Sequence, residues 1–277
     1  MLTVSALKAV LASRRLRLTK RLGQHHLIDA RVIHRIIEGC ALSPEETVVE
    51  IGAGLGALTE SLASLAGRVT AVEVDPRICA VLDARMREHR NVTVVCEDIL
   101  RFSWAGLREI VVIGAIPYHI TSPIVVSLCE HRALIRRAVL IVQQEVAQRL
   151  LAAPGTKAYG RLSVLGQYGW EISSLATIPH SAFFPRPTVD SMCLQLVPRA
   201  QAAVAVASEA TFFELVKTAF SHRRKTLVNC LLQDGRRALS RSAAEAIVTA
   251  VGLPASIRGE TLSLAQFAAL ANRLENE

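Results

Sequence analysis

A chain of 277 residues with 51% hydrophobic side chains has room for one large domain, or one domain and a small companion. Lys and Arg number 32 against 24 Asp and Glu, a net +8 that points to a polyanionic partner. No uninterrupted apolar run approaches the roughly 18 residues a membrane span needs, so no membrane role is expected.

The first 28 residues hold no acid and concentrate Lys8, Arg14, Arg15, Arg17, Lys20 and Arg21. An Arg-rich, acid-poor start fits a mitochondrial transit peptide; it also fits an arm that docks on nucleic-acid phosphates. The second reading is favoured, because the arm runs straight into the motif-like stretch Gly23-Gln24-His25-His26-Leu27-Ile28-Asp29. The adjacent histidines have no third ligand nearby, so no metal is expected. Val32, Ile33, Ile36 and Ile37 predict a helix over 30–40, capped by Asp29, with Gly39 near its end.

After a turn at 43–46, residues 48–51 read as a buried strand, followed by Gly52, Gly54 and Gly56 and a helix over 57–65. A strand, a glycine turn and a helix start let backbone approach a ligand closely. The pattern by itself fits two nucleotide-cofactor classes, and an NAD enzyme would prefer G-x-G-x-x-G. Strands are expected at 68–74, 92–96, 110–113 and 138–142, alternating with helices at 76–88, 120–130 and 144–151. The helix at 76–88 has Pro76 at its first position behind Asp75. Strands alternating with helices predict an α/β fold: a parallel, Rossmann-like sheet covered on both faces. In such sheets the ligand lies beyond the strands' carboxyl ends, where Gly52, Glu73, Asp98 and Ala115-Ile116-Pro117-Tyr118 all fall. Glu73 is placed to accept ribose hydroxyls, and Asp98 an adenine amino group.

Beyond the core, a helix is expected over 160–168. Residues 171–178 and 189–197 alternate as an antiparallel pair at the sheet edge. The stiff loop Phe183-Phe184-Pro185-Arg186-Pro187 separates them. Residues 200–208 form a small-residue linker, and the pattern from 209 onward is helical. Three segments follow: a basic arm (1–28), a cofactor-binding domain (29–199) and a small all-α domain (209–277). Arg223, Arg224 and Lys225 are expected on a helix of that last domain, with Arg236 and Arg237 beyond. They would grip nucleic-acid phosphates. Six scattered cysteines without C-x-x-C spacing read as reduced residues of a cytoplasmic protein.

Gly23-Gln24-His25-His26-Leu27, Val49-Glu50-Ile51-Gly52-Ala53-Gly54, Glu73, Asp98 and Ile116-Pro117-Tyr118 together resemble the rRNA adenine N6-dimethyltransferase family. Similar segments recur at 182–191, 219–227 and 262–267, so the likeness runs from about Lys20 to the C-terminus. It implies S-adenosyl-L-methionine as cofactor and dimethylation of two adjacent adenines near the 3′ end of small-subunit rRNA. It also implies the immature small ribosomal subunit as partner, and a monomer. His25, Leu27, Gly52, Gly54, Glu73, Val74, Asp98, Ile99 and Ala115 would bind the cofactor. Tyr118 would pack on the flipped base, with Phe184 opposite.

One position departs from the family pattern. Ala115 stands where the motif has Asn, whose carbonyl helps point the adenine amine's lone pair at the methyl group. Losing one aligned transition-state hydrogen bond is worth roughly 2–4 kcal/mol, or about 30- to 1000-fold in rate. The intact Pro117, Tyr118 and cofactor set favour an enzyme weakened at one position over a member that only binds RNA. A methylation-independent ribosome-assembly factor is the alternative.

Overall fold

The computed structural model describes residues 4–14, 16, 18, 23–117, 120–234 and 239–275. The chain forms two compact units: 1–147 with 171–198, and 148–170 with 199–277. Residues 148–170 thus group with the helical unit rather than with the sheet.

The first unit is built on a seven-stranded sheet ordered β4-β3-β2-β5-β6-β9-β7. Its strands are β2 (Thr47–Ile51), β3 (Arg68–Glu73), β4 (Val92–Cys96), β5 (Ile110–Ala115), β6 (Ile135–Gln143), β7 (Trp170–Ile178) and β9 (Ser191–Pro198). Neighbours from β4 to β6 are parallel, and β9 runs antiparallel to β6. β2, β3 and β4 step outward in one direction, and the chain then crosses back to lay β5 on the other side of β2. The sheet's switch point therefore lies between β2 and β5, where open α/β sheets bind ligands.

Two-residue periodicity sorts the strand residues by face. Val48, Val69, Val111 and Val139 pack with Ile33, Ile36 and Ile37 of α2 (Ala30–Cys40) and with Leu62 of α3 (Thr59–Ala63). Ala71 packs with Leu82 and Met86 of α4 (Pro76–Met86). Ile51 turns the other way, beside Ile124 and Leu128 of α5 (Thr121–Glu130). The caps are those the sequence predicts. The Asp29 carboxylate accepts the Arg31 and Val32 amides at the start of α2. Asp75 does the same for Arg77 ahead of Pro76.

Two elements were not expected. α1 (Val4–Ser13) lies within the supposed arm, and its Leu7 is buried with Leu55, Ile78 and Val81. β1 (His26–Leu27) pairs antiparallel with β8 (Phe183–Phe184), matching His26 with Phe184 and Leu27 with Phe183.

α6 (Gln144–Leu151) follows β6 directly; in the second unit, α7 (Arg161–Gly169), α8 (Glu209–Ala219), α9 (Leu227–Gln233), α10 (Arg241–Ala250) and α11 (Leu264–Glu275) surround a core that includes Phe212, Leu227, Ile247 and Phe267. Arg223, Arg224 and Lys225 stand on the turn between α8 and α9, not on a helix. The Thr226 hydroxyl accepts the Asn229 amide, so α9 starts only after this basic run. Among the described residues no helix is long and apolar enough to cross a membrane.

Candidate functional site

A cleft of about 850 Å³, open mouth included, lies along the carboxyl ends of β4, β3, β2 and β5. Asp98, Glu73, Gly52 and Ala115 line it, one from the end of each of these adjacent strands.

The glycine turn is shaped by left-handed backbone and by a carboxylate. Gly52 and Gly54 have φ of +70° and +56°, a region that side chains disfavour. A Cβ on Gly52 would lie 3.2 Å from the Ala115 carbonyl oxygen, and one on Gly54 would lie 2.9 Å from the His26 ring. Glu73 holds the turn from the next strand. Its Oε2 accepts the Gly54 N–H at 2.9 Å, and Oε1 accepts the Val74 and Asp75 N–H groups at 3.0 Å. Glu73 is buried, and desolvation raises its pKa despite these three bonds. Three backbone donors thus already occupy the carboxylate expected to meet a ribose. That structural duty was not legible from its place at a strand tip.

The stretch before α2 reaches the same cleft because β1 pairs with β8. Gln24, His25 and His26 line it. Gln24 Nε2 donates to Asp75 Oδ2 at 3.0 Å, and His25 Nδ1 lies 2.7 Å from the Pro185 carbonyl. Arg77 and then Gln24 hold the Asp75 pKa down at about 2. His26 is buried, and its Nε2 has no hydrogen-bond partner among the described residues. Burial, with the neighbouring His25, lowers its pKa to about 4, so the ring is neutral at physiological pH. Gln24 and His26 were missed as site residues, although the motif containing them was noticed. Among the described residues no cluster of three His, Cys, Asp or Glu side chains gathers.

On the far rim, Asp98 Oδ1 accepts the Leu100 amide at 3.0 Å. Ile99 is buried and Val74 is an exposed apolar residue at the mouth, and both line the cleft. Leu27 is not in the lining; it turns into the core with Ile33 and Ile36. At the end of β5, Ala115 is half-buried and Pro117 lines the cleft beside it. The Pro117 carbonyl already accepts the Ile120 N–H at 3.1 Å and the Thr121 hydroxyl at 3.2 Å. The Ile116 N–H is bonded to the Ile141 carbonyl at 2.9 Å, and its side chain is buried. Tyr118 lies outside the described residues.

The remaining predicted residues are more scattered. Phe184 is half-buried against the α1 cluster, with Lys8 Nζ 5.5 Å from its ring centroid, and it is not part of the cleft lining. Arg14 is exposed at the end of α1. Arg15, Arg17, Lys20 and Arg21 lie outside the described residues, as do Arg236 and Arg237. Arg223 is held by Glu260 at 2.7 Å and by the Lys157 carbonyl at 2.6 Å. Lys225 bonds Gln233 at 2.8 Å, and Arg224 is exposed.

Residues 15–275 match the family described as ribosomal RNA adenine dimethylase. Proteins named ribosomal RNA small subunit methyltransferase A are close in sequence. The one from Geobacillus sp. (strain WCH70) is 38% identical over 268 residues, covering 93% of this chain and 91% of the relative. That of Bacillus mycoides (strain KBAB4) is 40% identical over 264 residues, covering 92% and 90%. The crystal structure of a dimethyladenosine transferase from Plasmodium falciparum superposes with a TM-score of 0.76 at 25% identity, covering 89% of this chain and 96% of that one. The 23S rRNA methyltransferase ErmE superposes with a TM-score of 0.66 at 30% identity, covering 90% and 99%.

Proposed function

Because this chain belongs to the ribosomal RNA adenine dimethylase family, we propose that it uses S-adenosyl-L-methionine to dimethylate N6 of two adjacent adenines near the 3′ end of small-subunit rRNA. We propose further that Ala115 makes the transfer slow. The observation that carries this reading is the meeting of Gly52, Glu73, Asp98 and Ala115 around one cleft, from four adjacent strands.

The residues present fit the cofactor. Gly52 and Gly54 line the cleft in left-handed backbone that side chains disfavour, and the buried His26 Nε2 beside them has no hydrogen-bond partner among the described residues. Asp98 would accept the adenine amino group and Glu73 the ribose, with Ile99 and Val74 against the adenine faces. When bound, S-adenosyl-L-methionine supplies the methyl group. The chain's own task is to hold the target amine, whose lone pair is delocalised into the ring, in the attacking orientation. Among the described residues, backbone carbonyls are the acceptors at the β5 corner, and that of Pro117 already serves Ile120 and Thr121 at the start of α5. The target amine is therefore under-held, and the rate falls while cofactor binding stays.

Basic residues would carry the RNA contact. Arg224 and the arm residues Arg14, Arg15, Arg17, Lys20 and Arg21 are the candidates, with Arg223 and Lys225 first having to leave their internal partners. The immature small subunit is the proposed partner and the chain acts as a monomer in the cytoplasm. Ala115 also favours a second reading, an assembly factor that binds the subunit without needing chemistry.

Calorimetric titration with S-adenosylhomocysteine and with NAD tests the cofactor site. The thioether is expected to bind and NAD not to. Asp98→Ala should weaken thioether binding about tenfold, about 1.4 kcal/mol. Binding of NAD in place of the thioether would overturn the reading.

A further inference from the structure

Two thiols stand close to one another between α4 and the end of β4, next to residues of the cleft. In β4, Val92, Val94 and Cys96 share one face by strand alternation, and Val92 and Val94 pack with Leu82 and Met86 of α4. Cys79 precedes Leu82 by one turn on α4, on the side of the helix that packs against this face of β4. The Cys79 S–H also donates to the Glu73 carbonyl at 3.3 Å. That carbonyl accepts the Glu97 N–H at 3.0 Å as well, and Cys96 is the register partner of Glu73. Cys79 is buried, whereas Cys96 alone of the six cysteines is exposed. Burial and the nearby Cys96 push the Cys79 thiol up, so it stays protonated as the held partner. Cys96 is the sulfur that a dissolved oxidant reaches.

We propose that Cys79 and Cys96 form a redox modification site in which a hydroperoxide joins them as a disulfide and thereby loosens the cofactor cleft. The Cys96 sulfur attacks the hydroperoxide, breaking its O–O bond, and becomes a sulfenic acid while an alcohol, or water from hydrogen peroxide, departs. The Cys79 sulfur then displaces hydroxide from Cys96, and the Cys79 thiol proton leaves with it as water. Two thiols lose two electrons, and the peroxide gains them. The new bond removes the hydrogen that Cys79 gave to the Glu73 carbonyl. It also ties the first turn of α4 to the last residue of β4, two positions before Asp98. Glu73, six residues before Cys79, and Asp98, two residues after Cys96, both lie close along the chain to the crosslink.

The effect on the cofactor rests on the reading that Glu73 and Asp98 hold it; the crosslink itself does not. Oxidised protein is expected to bind S-adenosylhomocysteine about tenfold more weakly than reduced protein. By reciprocity, saturating thioether makes the disulfide about tenfold easier to reduce, about 30 mV for a two-electron couple.

The full chain is treated with hydrogen peroxide, and its intact mass and digested peptides are read before and after dithiothreitol. The expected result is a mass loss of two hydrogens, a Cys79–Cys96 linked peptide, reversal by dithiothreitol, and no crosslink in Cys96→Ser. Titration of both forms should then give the tenfold difference. Absence of that linked peptide, or an oxidised form that binds as tightly as the reduced one, overturns the proposal. Reduced protein that binds no thioether would instead refute the cofactor reading, and the mass change would still decide the thiol pair.

Discussion

Glu73→Ala separates two roles that a carboxylate at this place could have, ligand contact and backbone pin. The change leaves the amides of Gly54, Val74 and Asp75 without the acceptors they have at 2.9, 3.0 and 3.0 Å. A buried donor left unpaired costs about 1–3 kcal/mol. Val74 is exposed at the cleft mouth, where water replaces the lost oxygen. The Gly54 and Asp75 bonds are buried, so two orphaned donors remain, costing about 2–6 kcal/mol together. Relief of the carboxylate's own desolvation, the cause of its raised pKa, offsets part of this. A net loss on the order of 2–4 kcal/mol follows, which for a unit of this size lowers Tm by about 5–15 °C. Thermal unfolding followed by circular dichroism, beside titration with S-adenosylhomocysteine, reads both roles. Loss of thioether binding with Tm within about 2 °C of the parent would refute the pin and leave Glu73 as a ligand contact only.

Glu50 is a buried acid whose Oε2 has no partner among the described residues; burial, with the charge of Glu73 added, raises its pKa to about 8. A raised acid pKa means the folded state binds more protons than the unfolded one between roughly pH 4.5 and pH 8. Stability should therefore fall across that window, and Glu50→Gln should flatten the fall. Denaturant midpoints near pH 5 should agree between the two proteins; above pH 8 the variant should lead by a few kcal/mol on the order-of-magnitude scale of such shifts. Parallel pH profiles would contradict the assignment. Arg137 pairs with Glu46 through two bonds of 2.7 and 2.8 Å and donates to the Cys40 and Ala41 carbonyls at 2.9 Å. Arg137→Leu should cost about 1.5–3 kcal/mol in urea unfolding, because Glu46 loses its two charged hydrogen bonds while keeping the Ser43 amide at 3.0 Å and Arg136 at 3.6 Å. Arg137 lowers the Glu46 pKa, so the pair's contribution is present above the unfolded carboxylate range and lost as pH falls. The variant should then lose less stability on acidification than the parent; an equal loss would argue against the pair.

The strand-helix alternation, the caps at Asp29 and Asp75, and the row of residues at strand ends were all legible, because each is a local pattern. The two-residue ladder of His26–Leu27 with Phe183–Phe184 was not. Two residues carry no periodicity, and their partners lie far along the chain. Yet this ladder brings Gln24, His25 and His26 to the glycine turn. The basic run at 223–225 was expected on a helix because the pattern from 209 onward is helical, but it stands on a turn. Its true signal was Thr226, an N-cap that starts α9 afterwards. The counter-charge on Arg223 comes from Glu260, 37 positions away, and only the folded chain reveals it. Leu27 read as a cleft residue from its motif, but a strand alternates sides, and its side chain went to the core.

The central claim is that this chain carries the cofactor cleft of an adenine dimethylase but under-holds its target amine at Ala115. The direct measurement is mass mapping of the 3′-terminal hairpin of unmethylated small-subunit rRNA after timed incubation with S-adenosyl-L-methionine and either this chain or Ala115→Asn. The expected result is methylation of two adjacent adenines, slow with this chain and about 30- to 1000-fold faster with the asparagine restored. Rapid, complete dimethylation by this chain, or an asparagine variant no faster, would contradict it.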